Sequence, residues 1–358
     1  MTGALEKEIR LSFAQRIRGT LPEPYHPLIS EAKEKDRPDF KYESDRMPNP
    51  NLHLQRHSSL TSTETPYAPQ GREILRLLKA KAPDPEIQEP MTSIENEASS
   101  LGVTDPLIQS TDALLSSILF LGSKSLSHVL SCIERTKSLL LAIGPASEAA
   151  RRQIITSVMA YWTEKPGTGV NIVDKLLNYT ILTPRSVILW ALGDKLRKGE
   201  PLCDAYMYEM VSVTMHKVTN RVRQIVLARN APGLPLEQRQ LLDGTLERER
   251  GEMRTLFGVV EDALVGVAEG SVDAMAESKD QDESGERMLR AWGGRWLRVF
   301  RRKMAVEEAW VGEMLEAGLK GEEVEMTVDD VLEDGGEGAD GFGDGAVANG
   351  EEGLDDIS

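Results

Sequence analysis

The sequence predicts an all-α protein: an irregular α-α superhelix of stacked antiparallel helix pairs, of the armadillo and HEAT kind, ending in a disordered acidic tail. Three observations predict it. From Asp105 onward for about two hundred residues, apolar side chains recur three and four apart almost without interruption. The segments are closed by Gly, Pro or polar turns of a few residues, and short connections make successive helices antiparallel neighbours. Charge is segregated: residues 321–358 hold 14 of the 58 acidic residues and none of the 42 basic ones, so the net charge of −16 belongs to the tail while residues 1–320 are nearly neutral. The tail EDGGEGADGFGDGAVANGEEGLDDIS has little apolar surface to offset its ordering entropy.

The elements follow in order. Residues 1–20 carry Leu5, Ile9, Phe13 and Ile17 four apart, one face of a helix that needs a partner surface. Residues 21–92 read as a linker with a short helix. PEPYHPLIS, DRPDFKYESD and PNPNLH are rich in Pro, Ser, Asn and charge, GREILRLLKAK interrupts them as a helix, and Ala82 to Asp105 is polar again. At Asp105 an N-cap followed by Pro106 opens LIQSTDALLSSILFLG. A helix from Ser125, with Leu126, Val129, Leu130, Ile133, Leu139 and Leu140 on its face, runs to Gly144-Pro145. Helices over Ala146 to Thr163, Val170 to Ile181, Pro184 to Leu196 and Pro201 to Arg229 complete the run. At Thr183-Pro184 the Thr can cap the new helix and the Pro fits its first turn, so the pair is a hairpin corner. No fixed repeat length is visible, which makes the stack irregular.

Chemistry is sparse. Gly167-x-Gly169 opens a helix, but a helix precedes it and no Gly-Lys-Ser/Thr follows, so a turn fits better than a phosphate cradle. His53 and His57 are four apart, a metal pair only if that Pro-flanked stretch were helical. His128 and Cys132 share this spacing on an apolar helix, where a satisfied core histidine is expected; His216 has no Ser, Cys or Asp arranged beside it in sequence. Cys132 and Cys203 form no CxxC pair and are expected as buried thiols. No catalytic, cofactor or metal site is assigned. No apolar run approaches the roughly 20 residues a membrane helix needs, and MTGALEKEIR lacks the apolar core of a signal peptide, which predicts a soluble intracellular chain with no membrane partner.

One segment stands out. In ERMLRAWGGRWLRVFRRKMAVEEAW, Leu289, Trp292, Trp296 and Phe300 form an inward stripe, while Arg290, Arg295, Arg298, Arg301 and Arg302 project from the other side. That face is either a solvated basic surface or a site for an acidic partner segment or RNA phosphate; the acidic tail is itself a candidate ligand.

Several segments, in order, carry a resemblance: LPEPYHPLI, PDFKYESD, GREILRLLKAKAPDPEI, LLSSILFLGSKSLSHVLSCIERTKSLL, IITSVMAYWTEKP, NIVDKLLNYTILTPRSVILWAL and AYMYEMVSVTMHKVTNRV. Together they cover most of residues 20–310, and the chain resembles the C-terminal part of the large subunit of the nuclear cap-binding complex. That subunit is built of three stacked-helix domains like the middle domain of translation initiation factor 4G. The resemblance implies that residues 1–20 end a preceding helical domain and that residues 93–320 are the helical-repeat domain. The first domain, most of the second and the import signal have no counterpart, which reads as a fragment or a truncated gene model. The charged hairpin some members carry after MHKVTNRV is replaced by a short turn at Pro232 to Pro235.

The implied function is a non-enzymatic scaffold without cofactors. An RNA-recognition-motif small subunit binds the 7-methylguanosine cap, the large subunit stabilises it, and mRNA splicing, export, decay and early translation factors dock on the assembly. Capped RNA is then an indirect partner, and the location is nuclear with cytoplasmic shuttling. The alternative is a helical-repeat protein that binds RNA directly through the Arg face.

Overall fold

The computed structural model describes residues 65–271 and 283–333, residues 38–43, and positions 20, 22, 23 and 26; in the last helix, side chains are described for residues 284–318. Eleven α-helices occur among the described residues, and no strand. The helices are α1 Ala68–Ala80, α2 Asp84–Ser100, α3 Leu107–Gly122, α4 Leu126–Arg135, α5 Lys137–Ala146, α6 Glu148–Tyr161, α7 Pro166–Asn178, α8 Pro184–Leu189, α9 Ala205–Arg229, α10 Leu236–Glu269 and α11 Glu283–Glu333. The stack advances from the α1/α2 pair through α3 to α6 and α7, then through α9 to the α10/α11 pair. No helix among the described residues is long and apolar enough to cross a membrane.

The core begins where the linker was expected. α2 buries Ile87, Met91, Ile94 and Ala98, a helical 4-3-4 spacing, although it carries Pro90 in its interior. The boundary at residue 93 therefore falls inside a helix, and the body starts by Ala68. The apolar face of α2 is masked in sequence by two prolines and a run of acids. α3 is the central helix: 11 of its 16 residues are buried, including Ser110, Thr111, Asp112, Ser116 and Ser117. Two of its buried hydroxyls are bonded locally or across the layer, Ser117 Oγ donating to the Ala113 carbonyl at 2.8 Å and Ser110 Oγ to Glu95 at 2.6 Å. Gly122 lets α4 approach closely, since a Cβ there would sit 2.5 Å from the Val129 Cα.

Local signals place most other ends. Thr183 and Ser186 form a reciprocal capping box at the α8 corner, with N···O distances of 3.1 and 3.0 Å. α8 then widens into a π-helical turn over Trp190–Asp194, and the buried Trp190 indole donates to Thr156 Oγ1 at 2.9 Å. The expected α-helix to Leu196 is thus shorter. The helix expected from Ser125 to Gly144 breaks at Thr136 into α4 and α5, because the Thr136 hydroxyl and N–H both turn back onto the Cys132 and Ile133 carbonyls. Asp105 does not cap α3; its carboxylate accepts the hydroxyl of Ser147, the α6 cap. α11 continues to Glu333 through helix-forming Glu, Met and Leu, past residue 320. The helix expected over residues 4–18, the His53 and His57 pair and residues 334–358 of the tail lie outside the described residues.

Candidate partner-binding face

α11 lies along α10 and also meets α9, at Tyr208 and Arg223 and at Asn230 just past its end. At 100° per residue, Leu289, Trp296, Phe300, Glu307 and Val311 fall on one side, and the structure turns that side inward. Trp296 and Phe300 are each 3 % exposed. The Trp296 ring stands edge-on to Tyr208 of α9, with centroids 5.1 Å apart, and is tilted against Phe300 at 6.2 Å. Trp292, expected on the same stripe, is only half-buried, since it lies at the flank of the seam under the Arg295 guanidinium, 5.0 Å above its ring.

Ion pairs rivet the seam. Glu308 receives Arg254 through Nε at 2.8 Å and a second N–H at 2.7 Å, and Arg250 Nε at 3.0 Å. The Arg254 hydrogen bonds outweigh the burial that opposes them, and with Arg250 they hold the Glu308 carboxyl at about 2, well below its ordinary 4.5. Buried Glu307 accepts Arg223 Nε at 2.6 Å, and the Arg223 guanidinium covers the Trp310 ring at 4.8 Å. Asn230 at the end of α9 donates to the Met314 carbonyl at 2.6 Å.

The five arginines of the outer face divide. Arg290 is held by Glu286 one turn earlier, and Arg301 reaches Glu261 of α10 at 2.7 Å. Arg295 rests on Trp292. Arg298 and Arg302 are exposed, with no carboxylate within salt-bridge reach among the described residues. Beside Arg295, Arg298 and Arg302 lie three exposed apolar side chains, Met288, Val299 and Val306, at 53 %, 45 % and 52 %.

The other residues singled out in the sequence are placed apart from this face. His128 is exposed, not core as expected, and its Nδ1 sits 2.7 Å from Ser125 Oγ at the α4 cap. His216 is also exposed, with Nε2 3.0 Å from Asn220 Nδ2. Cys132 is partly buried against the core and Cys203 exposed, so neither is the fully buried thiol expected. Gly167 and Gly169 lie in the first turn of α7, Gly169 buried, where a strand-loop-helix cradle has no place. Among the described residues no group of three His, Cys, Asp or Glu is placed to hold a metal ion. An open cleft of about 650 Å3 between α1 and α2 is lined by Glu73, Arg76, Glu86 and Glu89 and gathers no histidine.

A family model described as MIF4G like matches residues 59–309. The chain belongs to the MIF4G-like family. The match opens ahead of α1, in agreement with a body that includes α1 and α2. Among curated relatives, nuclear cap-binding protein subunit 1 of Schizosaccharomyces pombe is 25% identical over 226 residues, 63% of this chain and 25% of that protein. The subunit 1 proteins of Aedes aegypti and Anopheles gambiae are 25% and 24% identical over 221 and 254 residues, covering 62% and 69% of this chain and 25% and 28% of theirs. The chain thus spans about a quarter of the length of the curated relatives it matches. Their names denote cap-binding subunits and no catalyst.

In this MIF4G-like body two features escaped sequence reasoning. Met288, Val299 and Val306 recur at 11 and 7, a second apolar line about a quarter-turn from the first, and a count of every face of the helix would have found them. Asp112 is buried in the middle of α3 and bound by residues 41 to 71 positions away, which no local pattern announces.

Proposed function

We propose that the chain is part of the scaffold subunit of a nuclear mRNA cap-binding complex. On this reading it holds an RNA-recognition-motif small subunit in the shape that binds the 7-methylguanosine cap. It also offers docking surface, in the nucleus, to mRNA splicing, export and decay factors. The observation that carries the reading is the similarity to cap-binding subunit 1 proteins over some 220 to 250 residues, which falls on a continuous helical stack.

The aromatic side chains support it. A methylated guanine is held by two parallel aromatic planes that sandwich its charged ring. The aromatic pairs among the described residues meet at interplanar angles of 41° to 80°, and none is a parallel stack. Trp190 and Trp296 are buried, and Trp292 and Trp310 lie under arginines. Cap recognition then belongs to the partner. Size-exclusion chromatography of the chain mixed with purified small subunit tests this: co-elution is expected, and separate elution of two folded proteins overturns it. A second reading, direct contact with RNA phosphate, is favoured by Arg295, Arg298 and Arg302, which project from α11 free of carboxylates among the described residues.

A further inference from the structure

Residues 38–43 contribute no helix, yet two of them are buried in the core: Phe40 is 6 % exposed and Tyr42 3 %. A tight turn, closed by the Glu43 N–H on the Phe40 carbonyl at 3.1 Å, drives both rings into a groove bounded by α1, α3 and α6. Phe40 packs on Phe120 of α3, centroids 5.1 Å apart, and on Tyr42 at 5.8 Å. The floor of the groove is Asp112. One carboxylate oxygen accepts Ser157 Oγ at 2.8 Å and Gln153 Nε2 at 3.1 Å, both from α6. The other accepts the Tyr42 hydroxyl at 2.6 Å and the Lys41 ammonium. Burial opposes the charge on Asp112, but the Lys41 ammonium and the three side-chain bonds from Lys41, Tyr42 and Ser157 outweigh it, so its carboxyl stays ionised below the usual aspartate range.

The helical body therefore supplies half of the donors for a buried carboxylate and leaves the other half to a short turn. α1 is shaped for the same guest. A Cβ on Gly71 would lie 2.6 Å from the Tyr42 ring carbon, so only glycine at that helical position admits the ring. An aromatic pocket, a buried acid short of two donors, and a helix surface relieved by one glycine are the parts of a peptide-recognition site.

We propose that the groove between α1, α3 and α6 is a binding site for an aromatic–lysine–tyrosine turn, and that the chain's own Phe40-Lys41-Tyr42 is its ligand in cis. The segment acts as a detachable tether that ties the chain preceding residue 38 to one face of the helical stack. The occupant is decided by the fit: the ring of Tyr42 places its hydroxyl on the same oxygen that Lys41 neutralises, and Phe40 fills the space beside Phe120.

The test uses the full chain. Gly71→Ala fills the place of the Tyr42 ring while favouring the α1 helix, and Phe40→Ala with Tyr42→Ala empties the groove. Both variants should keep the helical circular-dichroism spectrum, and trypsin should cut after Lys41 about tenfold faster than in the parent, with cleavage inside α3 to α10 unchanged. A fluorescein-labelled peptide of residues 36–45, DRPDFKYESD, should then bind the F40A/Y42A chain by anisotropy, but not the parent, whose groove is filled, nor the F40A/Y42A chain that also carries G71A. No peptide binding to a folded F40A/Y42A chain overturns the proposal. So does an unfolded one, which would make the segment part of the core, and so does unaltered cleavage after Lys41 in G71A.

Discussion

Trp296→Ala should cost this protein about 4 kcal/mol of stability. The side chain is 3 % exposed and lies where α11 meets α9 and α10. Truncating a buried Trp removes its transfer free energy and leaves a cavity, about 3–5 kcal/mol together. The edge-on contact with Tyr208 at 5.1 Å and the tilted one with Phe300 at 6.2 Å each add about 0.5–1.5 kcal/mol beyond area. Against that, Tyr208 is 38 % exposed and can swing into part of the space, which keeps the figure in the middle of the range. For a body of this size that is a fall in Tm of about 10 °C. Trp292→Ala, at a half-buried site covered by Arg295, should cost about 1–2 kcal/mol, and Arg298→Ala, on the open face, under about 0.5 kcal/mol. Guanidinium denaturation followed by far-ultraviolet circular dichroism ranks the three. A Trp296→Ala loss no larger than that of Arg298→Ala would mean that α11 is not seated on α9 and α10 through this stripe.

Four further outcomes are expected. Glu308 is held at about 2 against 4.5, so its stabilisation is complete above pH 5 and lost as pH falls through 4.5 towards 2. With Arg254 54% exposed the gain is screened to about 1 kcal/mol, and a stability difference between parent and Glu308→Gln that stays flat across that window refutes the pairing. Thr183→Ala should remove about 1 kcal/mol through the lost cap while Thr183→Ser stays near the parent; equal melting of all three would show the capping box to be idle. If RNA phosphate is a ligand, replacing Arg295, Arg298 and Arg302 by Ala should reduce the slope of log affinity against log salt by about 2 for a single strand, and an unchanged slope removes the direct-RNA reading. Titrated with cap analogue and followed by tryptophan fluorescence, the isolated chain should bind no better than it binds guanosine triphosphate, and tight methyl-selective quenching would overturn the scaffold reading.

The parts of this fold legible in advance are those whose cause is local. The Thr183-Pro184 corner was readable because the cap, the proline and the first buried residues lie within five positions. Trp296 and Phe300 of the α11 stripe and the exposure of the arginines were readable from spacing, whereas Trp292, expected on the same stripe, was misplaced by it. α2 was not, because Pro85, Pro90 and the surrounding acids mark a loop by composition, while the burial of Ile87, Met91, Ile94 and Ala98 depends on α1 and α3 lying over them. The break at Thr136 was equally hidden, since the apolar period runs on through it and only the local back-bonding of one hydroxyl divides the helix.

The candidate face shows the same division. Spacing named the five arginines, but which of them are spent was decided by α10, whose Glu261 takes Arg301, and by Trp292, which lies under Arg295. Asp112 is the extreme case: its four donors come from positions 41, 42, 153 and 157. By itself the amino-acid sequence determined that this protein is a stack of amphipathic helices with an arginine-bearing last member, because periodicity and caps act between residues three or four apart. Which helix became central, which charges were neutralised and where Phe40-Lys41-Tyr42 docked were decided only by tertiary packing, because burial and ion pairing depend on which surfaces meet, and those surfaces come from residues tens of positions apart.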